Sequence, residues 1–274
     1  MQGLIQGHSG DRVEIINSSV IRKLSDKKRL LNNCLKQVAM VHCCRDSGIS
    51  VPPVLNSGKI DEKYFFDMKY VHGDNVPHFL NSEPINEINS FINKILSFIK
   101  KNIDVSTNSV VNQVLLDKIK EIKDKLKDPR VSLIIDSLSD HLRTNEVVLP
   151  IGPCHGDLTF SNIIISRSSA GKVLNFIDFL DSFLDTPLQD VVKIRQDTSF
   201  KWTLGLYSGA LNNHRMNYVF SFLDDKVDKF FRQYDFYNVH YKVYQIINLL
   251  RVMPYSNKEK LDYLINNVNI INKF

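Results

Sequence analysis

The stretch CHGDLTFSNIII at residues 154–165 constrains the fold more than any other part of the chain. It places three polar side chains, His155, Asp157 and Asn162, directly before three isoleucines of the kind that folded proteins bury. A second apolar stretch, KVLNFIDFLD, follows after the short segment RSSAG, a pattern typical of a β-hairpin. The sequence therefore predicts a polar loop fixed to a buried two-stranded ribbon, with Asp178 at the end of the second strand.

These side chains suit the transfer of a phosphoryl group to a hydroxyl. That reaction needs a carboxylate to orient and deprotonate the hydroxyl, and oxygen ligands for Mg²⁺. Asp157 and Asn162 supply both on one loop, and Asp178 is expected beside Asn162 because their strands pair. Oxygen ligands favour Mg²⁺ over a transition metal. Each residue alone is also an ordinary turn residue, so the hypothesis depends on all three together.

The motifs also resemble those of a known superfamily. HGDLTFSN is similar to the HGDxxxxN catalytic loop of the aminoglycoside phosphotransferase and choline kinase superfamily, and FIDFLDSFLDTPLQD resembles its metal-binding segment. The resemblance implies a phosphotransferase that uses ATP or GTP with Mg²⁺. It also implies that Asp157 is the catalytic base and that Asn162 and Asp178 bind the metal. By the same resemblance His155 and Asp190 support the loop.

The resemblance further implies an α+β, two-lobed, protein-kinase-like fold, with a small β-rich N-terminal lobe and a larger, mainly helical C-terminal lobe. Residues 1–70 are assigned to the nucleotide-binding lobe, with a linker at about 68–73. Residues 74–274 are assigned to the helical lobe, which contains the catalytic loop at 154–162 and the metal-binding segment at 175–190.

Lys23 is the candidate for binding the donor phosphates. The short β-rich segments RVEII and SVIRKLS open the chain, and Lys23 lies on the same strand face as Ile21. This apolar-x-Lys spacing resembles that of the strand lysine of kinases. A slip of one residue in strand register would exchange Lys23 with Arg22. The alternative for Lys23 is a solvated lysine on an edge strand.

Two further segments are candidates for nucleotide binding. QGHSGD lies where a phosphate-covering turn is expected, and Ser9 is its candidate contact. DMKYV resembles the linker between kinase lobes, whose backbone pairs with the adenine edge. Its candidate residues are Met68, Lys69, Tyr70 and Val71. The alternative is that they form the end of an ordinary buried strand.

The helix predicted from about Asp26 to Arg45 departs from the family pattern. Its expected buried face carries Leu30, Leu31, Leu35, Val38 and Val41. Residues 27–44 contain no Asp or Glu, although the family usually places an acid there to pair with the strand lysine. Gln37 is the candidate for a hydrogen bond to Lys23 instead. This departure keeps a nucleotide-binding pseudokinase or regulator as an alternative.

The second half of the chain bears on the acceptor. Residues 186–274 carry twelve Lys and Arg against eight Asp and Glu, which suits a sugar or another neutral or anionic metabolite better than a polycationic aminoglycoside. Arg195, Asp197 and Trp202 are candidate acceptor-binding residues, with a salt-bridged helix surface as the alternative for the first two. Abundant aromatic residues also leave a choline or amino-alcohol kinase open.

A protein kinase is disfavoured, because Asp178 and Asp190 are only twelve residues apart, which leaves little room for a peptide-docking loop. The basic first sixty residues, with nine Lys and Arg against four Asp and Glu, are interpreted as a solvated helix face rather than a nucleic-acid site. No apolar run approaches the roughly 20 residues of a membrane span. Without a signal-peptide pattern, a cytoplasmic location with a small-molecule partner is expected.

Overall fold

The computed structural model describes residues 4–6, 11–44, 48–169 and 171–272. Within these ranges the first lobe contains, in chain order, β1 (Leu4–Gln6), β2 (Arg12–Asn17), β3 (Val20–Ser25), α1 (Arg29–Cys43), β4 (Ile49–Ser50), β5 (Val54–Ile60) and β6 (Lys63–Lys69). Five of these strands form an antiparallel sheet in the order β1-β2-β3-β6-β5. The predicted strands around Lys23 and the predicted helix are both present.

Helix α1 packs on this sheet through a different face from the predicted one. A small apolar cluster joins Leu30 and Cys34 of α1 to Phe66 and Met68 of β6. Leu35, predicted to be buried, is 68% exposed, and Val38 is also exposed. The prediction was wrong because the buried face of α1 includes polar residues that bond to other segments, so its apolar residues do not mark one side. The residues of that face are Leu30, Asn33, Cys34, Gln37 and Met40.

The second lobe is mainly helical, as predicted. In chain order it contains β7 (Asp74–Asn75), α2 (Val76–Ser82), α3 (Ile85–Asp104), β8 (Thr107–Val110), α4 (Asn112–Lys125), α5 (Pro129–Thr144), β9 (Val148–Ile151), β10 (Ile163–Ser168), β11 (Gly171–Phe176), α6 (Pro187–Thr198), α7 (Trp202–Gly205), α8 (Asn213–Phe231), α9 (Asp235–Leu250) and α10 (Lys258–Asn272). Short 3₁₀ turns at Phe160–Asn162 and Met253–Tyr255 complete it. Strand β8 separates α3 from α4 and pairs with β9.

The predicted hairpin is present as β10 and β11, paired from Ile163↔Phe176 to Ser168↔Gly171. Two short strands extend it to a four-stranded sheet in the order β4-β11-β10-β7. Strand β4 therefore belongs by sequence to the range 1–70 but pairs with the hairpin of the second lobe. Such two-residue strands are too short to leave a periodic pattern in the sequence.

The two-lobed α+β fold predicted from the sequence is confirmed. A single large apolar core, with Phe98, Phe176 and Phe220 among its fully buried side chains, holds the hairpin against helices α3, α6 and α8. This core fixes the end of the hairpin at which Asn162 and Asp178 emerge. Among the described residues, no helix combines the length and apolarity that crossing a bilayer requires.

Candidate active site

One face of helix α6 holds the loop of residues 154–162, which we call the HGD loop. Asp190, Lys193 and Asp197 are spaced at i, i+3 and i+7, so they project from the same side of the helix. Each of them contacts a different part of the HGD loop. A single rigid helix thus sets the position of the whole loop.

Asp190 holds the first turn of the loop. Its Oδ2 accepts a hydrogen bond from the backbone N–H of His155 at 2.7 Å, and its Oδ1 accepts one from Gly156 at 2.9 Å. The carboxylate is fully buried, and burial raises its pKa to about 7 although both bonds act to lower it. Asp190 is thus a buried anchor for the backbone of His155 and Gly156.

Lys193 contacts Asp157 directly. Its Nζ lies 2.9 Å from Asp157 Oδ1, and the lysine side chain is only 5% exposed, whereas that of Asp157 is 31% exposed. Asn162 donates from Nδ2 to the backbone oxygen and to Oδ2 of Asp157, at 2.7 and 3.1 Å. Burial acts to raise the pKa of Asp157, but the charges of Lys193 and Arg251 outweigh it and the net shift is downward. The carboxylate is therefore ionised at neutral pH and held in one orientation.

Asp197, a candidate acceptor ligand from the sequence, has an internal position. It is fully buried and accepts hydrogen bonds from the backbone N–H groups of Phe160 at 2.5 Å and Thr203 at 2.6 Å. Burial raises its pKa to about 6. Since no part of its carboxylate is exposed, Asp197 holds the end of the HGD loop in this structure and does not face a ligand.

Arg195 and Trp202, the other two candidates, also have internal partners. Arg195 lies on the opposite side of α6 and pairs with Asp224 and Asp228, as in the alternative reading of a salt-bridged helix. It borders a groove of about 670 Å³ that is separate from the HGD loop. Trp202 packs against Tyr263 and beneath the Lys260 ammonium, 4.3 Å from the ring centre.

His155 is built into the protein interior as a neutral imidazole. It is fully buried, stacks on Phe179 at 4.2 Å, and its Nε2 lies 2.9 Å from the Ile177 carbonyl oxygen. The backbone N–H of Asp157 donates to Nδ1 at 3.2 Å, which assigns the ring proton to Nε2. Burial lowers its pKa to about 4. His155 therefore supports the loop and does not exchange protons near neutral pH.

Gly156 is the residue that allows this packing. Its φ is +88°, and a Cβ atom there would lie 2.2 Å from the carbonyl oxygen of Leu180. An L side chain would face both backbone strain and a clash with a main-chain atom. The glycine of the HGD motif is thus explained by close contact between the loop and the segment that follows β11.

Asn162 and Asp178 emerge side by side, as predicted from the hairpin. The backbone N–H of Ile177 donates to the Asn162 carbonyl oxygen at 3.0 Å, one residue beyond the last pair of the ribbon. Asp178 then takes a left-handed conformation with φ of +65° and remains 52% exposed. Strand β11 ends at Phe176, so Asp178 lies in the following turn and not in the strand.

Lys23 completes the constellation from the first lobe. Its Nζ lies 2.5 Å from Asp178 Oδ1, and the residue is buried. The neighbouring Arg22 points to the other side of β3 and forms a two-pronged ion pair with Asp67 at 2.7 and 2.8 Å. The strand register is thus the one that directs Lys23, and not Arg22, towards the HGD loop.

Gln37 does not contact Lys23, so that prediction was wrong. Its Nε2 donates to the Pro52 carbonyl oxygen at 2.7 Å and contacts Met68 Sδ, and its Oε1 has no partner among the described residues. Gln37 therefore faces Pro52 and the end of β6. In the absence of an acid on α1, the partner of Lys23 is Asp178.

Comparison with known proteins agrees with this geometry. The sequence model of the phosphotransferase enzyme family matches residues 2–214, which is well over half of the chain. The chain belongs to this family. It is a phosphotransferase with a hydroxyl acceptor, and the cofactors predicted from the sequence, ATP or GTP with Mg²⁺, are those of the family. No curated protein sequence matches the chain.

Solved phosphotransferase structures share its fold at low sequence identity. The GDP and kanamycin complex of APH(2″)-IIIa has a TM-score of 0.67 at 12% identity, covering 100% of this chain and 93% of that one. The apo form of a thermostable mutant of aminoglycoside phosphotransferase APH(4)-Ia has a TM-score of 0.64 at 14% identity, covering 100% and 94%. The GDP complex of aminoglycoside 2′-phosphotransferase-IIIa has a TM-score of 0.59 at 14% identity, covering 96% and 90%.

The donor set of this phosphotransferase fits Mg²⁺. Both amide protons of Asn162 are used by Asp157, which leaves Oδ1 as its free ligand atom, and the exposed Asp178 carboxylate lies on the adjacent turn. Within the described part of the chain, no three His, Cys, Asp or Glu side chains converge on a metal site. Two oxygen ligands suffice for Mg²⁺, because it keeps waters and takes the rest of its ligands from substrate phosphates.

The predicted linker lies at the end of β6, beside the strand that carries Lys23. Met68 is buried with its side chain towards α1, while Lys69 is exposed. The backbone N–H of Lys69 donates to Pro53 and that of Tyr70 donates to Ser19. Because its side chain faces α1, Met68 would contact a nucleotide through its main chain only. Ser9 lies outside the described residues.

Lys193 and Arg251 are residues of the site that the sequence analysis missed. The spacing of Asp190, Lys193 and Asp197 in DVVKIRQD was a usable signal, since it places three charged groups on one face of a helix. Arg251 follows α9 and reaches the site only through the packing of α9 on α6. No local pattern marks it.

Proposed function

We propose that this phosphotransferase is a small-molecule kinase. It transfers the γ-phosphoryl group of ATP or GTP to a hydroxyl of a small acceptor, a sugar or a related neutral or anionic metabolite. The observation that carries the proposal is a continuous series of contacts between the lobes. Lys23 bonds to Asp178, Asp178 adjoins Asn162, and Asn162 bonds to Asp157.

Asp157 is the proposed base. Its carboxylate is ionised because Lys193 and Arg251 outweigh the effect of burial on its pKa, and about a third of the side chain remains accessible. Asn162 and Lys193 hold its two oxygens from opposite sides. A hydroxyl bound at the open side would be oriented for in-line attack and would give up its proton to this carboxylate.

Asn162 and Asp178 are the proposed metal ligands, and Lys23 is the proposed contact of the donor phosphates. Mg²⁺, when bound, neutralises charge on the phosphates. The Lys23 ammonium now shares Asp178 Oδ1, so nucleotide binding would transfer Lys23 from the carboxylate to phosphate oxygens. The linker at 68–71 is proposed to receive the base of the nucleotide through its backbone.

The choline and amino-alcohol alternative has less support. A cage for a quaternary ammonium needs aromatic faces open to the site. Phe231, Tyr237 and Tyr244 are buried, and most other aromatic residues after Phe200 pack against the same core. The cations beside Asp157 would also repel such a ligand.

Replacing Asp157 with asparagine tests the mechanism. The substitution keeps the shape of the side chain but removes the base, so turnover should fall at least about hundredfold. Binding of ATP with Mg²⁺ should persist, because Asn162 and Asp178 remain. ADP release is measured over a panel of sugars, amino alcohols and aminoglycosides, with Asp140→Asn on the exposed surface of α5 as the matched control. A fully active Asp157→Asn enzyme would refute the mechanism.

A thermal-shift titration separates the kinase from a pseudokinase. We expect ATP to raise the melting temperature more in the presence of Mg²⁺ than in its absence. In Asp178→Asn the Mg²⁺-dependent part of the shift should disappear. Stabilisation by ATP that is indifferent to Mg²⁺ would favour a nucleotide-binding regulator, and no stabilisation at all would contradict nucleotide binding.

A further inference from the structure

A short turn at the end of the HGD loop carries Asn162, one of the two proposed metal ligands. It is the 3₁₀ turn Phe160–Asn162, and the residue before it, Thr159, makes no side-chain capping bond to it. The first N–H groups of a helical turn have no partner within the turn and need an acceptor from outside. The backbone N–H of Phe160 has that acceptor on helix α6, where it donates to Asp197 Oδ2 at 2.5 Å.

The same carboxylate caps a second element. Helix α7 begins at Trp202 after Lys201, which has a left-handed backbone with φ of +56° and makes no side-chain capping bond either. The backbone N–H of Thr203, in the first turn of α7, donates to Asp197 Oδ1 at 2.6 Å. The N–H of Lys201 donates to the carbonyl oxygen of Asp197 at 2.7 Å. One residue thus anchors two short elements that lack a side-chain cap of their own.

A carboxylate at this position is unfavourable in itself. Asp197 is 0% exposed, and Lys193, one turn earlier on α6, contacts Asp157 instead. A buried charge is destabilising unless other groups bond to it. The bonds that stabilise Asp197 come from two backbone N–H groups, and the positions of those groups are fixed in return. The placement of Asp197 therefore indicates a role in setting geometry.

The 3₁₀ turn connects Asp197 to the proposed metal ligand. Asn162 lies two residues beyond Phe160, and its N–H donates to the Thr159 carbonyl oxygen at 3.0 Å, which closes the turn. The ring of Phe160 is fully buried, so its side chain and its N–H fix one end of the turn. At the other end Asn162 Nδ2 donates to Asp157, and Oδ1 of Asn162 is left for a metal.

We propose that Asp197 is a positioning residue for the metal site: by holding the N–H of Phe160, it directs Asn162 Oδ1 towards Mg²⁺. This inference rests on the proposed kinase function and adds a residue to its metal site. Asp197 acts only through the turn, because its carboxylate is buried and both of its oxygens are bonded. Replacing a residue that orients a metal ligand typically lowers metal affinity or activity by about 10- to 100-fold.

Replacing Asp197 with asparagine tests the proposal. The amide keeps the shape of the side chain, but its single oxygen can accept from only one of the two N–H groups. Binding of AMP-PNP to the full chain is measured by calorimetry, once with EDTA and once with saturating Mg²⁺. In Asp197→Asn the gain in affinity that Mg²⁺ brings should fall about tenfold or vanish. The affinity with EDTA should stay that of the unmodified chain, whereas a merely structural defect would weaken both measurements alike.

The matched control is Val192→Ala in the same helix. Val192 is fully buried but projects from a different side of α6 than Asp197, and truncating it destabilises the packing of the helix. We expect this variant to keep the full gain from Mg²⁺. Should Asp197→Asn not fold, Asp197→Ser gives the same measurement, because its smaller side chain leaves room for a water at this polar position.

The outcomes separate this inference from the proposed function. If the unmodified chain gains no affinity for AMP-PNP from Mg²⁺, the proposed kinase function is contradicted and the inference falls with it. If the unmodified chain gains affinity and Asp197→Asn keeps the full gain, the inference alone is overturned. A loss of the same size in Val192→Ala would also overturn it, since any weakening of α6 would then be sufficient.

Discussion

At the scale of single residues, the contact between Lys193 and Asp157 has a direct consequence for the pH dependence of the reaction. The cation lowers the pKa of Asp157, so the proposed base stays ionised as the pH falls. Lys193→Met removes that effect and leaves burial, which raises the pKa, opposed by the weaker effect of Arg251. Since the proposed reaction needs the ionised carboxylate, the acid limb of kcat/KM should move to higher pH.

Lys193→Arg is the control for this experiment, because it keeps a cation beside Asp157. Its acid limb should stay near that of the unmodified enzyme even if turnover falls through altered geometry. A purely structural role for Lys193 would reduce kcat without moving the limb. An unchanged acid limb in Lys193→Met would therefore contradict the assignment of Lys193 as a positioning residue for the base.

His155 gives an independent residue-scale prediction. Its pKa of about 4 follows from complete burial, and its two ring nitrogens have fixed partners. The imidazole signals of His155 should thus stay constant between pH 5 and 8 in a nuclear magnetic resonance titration, with His155→Gln used for assignment. A midpoint for His155 near 6.5 would show that the ring is not buried as described.

At the scale of secondary-structure elements, the HGD loop depends on its contact with the segment after β11. A Cβ at Gly156 would lie 2.2 Å from the Leu180 carbonyl oxygen, in a backbone conformation that L residues rarely adopt. Gly156→Ala should therefore destabilise the fold by about 1 to 3 kcal/mol, from the strained backbone alone, and should lower turnover sharply. Gly205→Ala is the control, since nothing lies within 4 Å of a Cβ there. Equal melting temperatures for the two variants would contradict this account.

The elements also show what the sequence could and could not predict. The hairpin and the meeting of Asn162 with Asp178 followed from two apolar stretches joined by one short polar segment. The face of α1 did not, because Leu35 and Val38 are apolar but exposed while Gln37 is polar but buried. Its burial depends on Pro52, a partner fifteen residues away. Likewise Arg251 reaches the site by helix packing, which no local pattern encodes.

At the scale of the whole molecule, two ion pairs join the lobes, and in both of them the cation belongs to the first lobe and the carboxylate to the second. The first lobe supplies the cations Lys23 and Lys36, and the second lobe supplies the carboxylates Asp178 and Asp185. Through this arrangement α1 contacts the second lobe although it carries no acidic residue. The lysine and asparagines of α1 bind the segment that follows Asp178, so the proposed metal-binding turn is held from the first lobe.

Among the residues that join the lobes, Lys36 contacts several groups of the second lobe at once. Its Nζ, largely buried, bonds to Asp185 Oδ1 at 2.6 Å and to the Leu180 carbonyl oxygen at 3.0 Å. Lys36→Met should lower the melting temperature by a few degrees and speed amide exchange in residues 180–185. ATP with Mg²⁺ should also bind more weakly, since Asp178 lies at the start of the loosened segment.

The matched control is Lys123→Met, which removes an exposed ion pair with Asp136 on the far helices of the second lobe. Such pairs contribute little, so its melting temperature and its nucleotide affinity should be unchanged. If Lys36→Met exchanged at residues 180–185 no faster than this control, Lys36 would not be what holds this segment. In that case the segment after Asp178 would owe its order to the second lobe, and the absence of an acid on α1 would need another explanation.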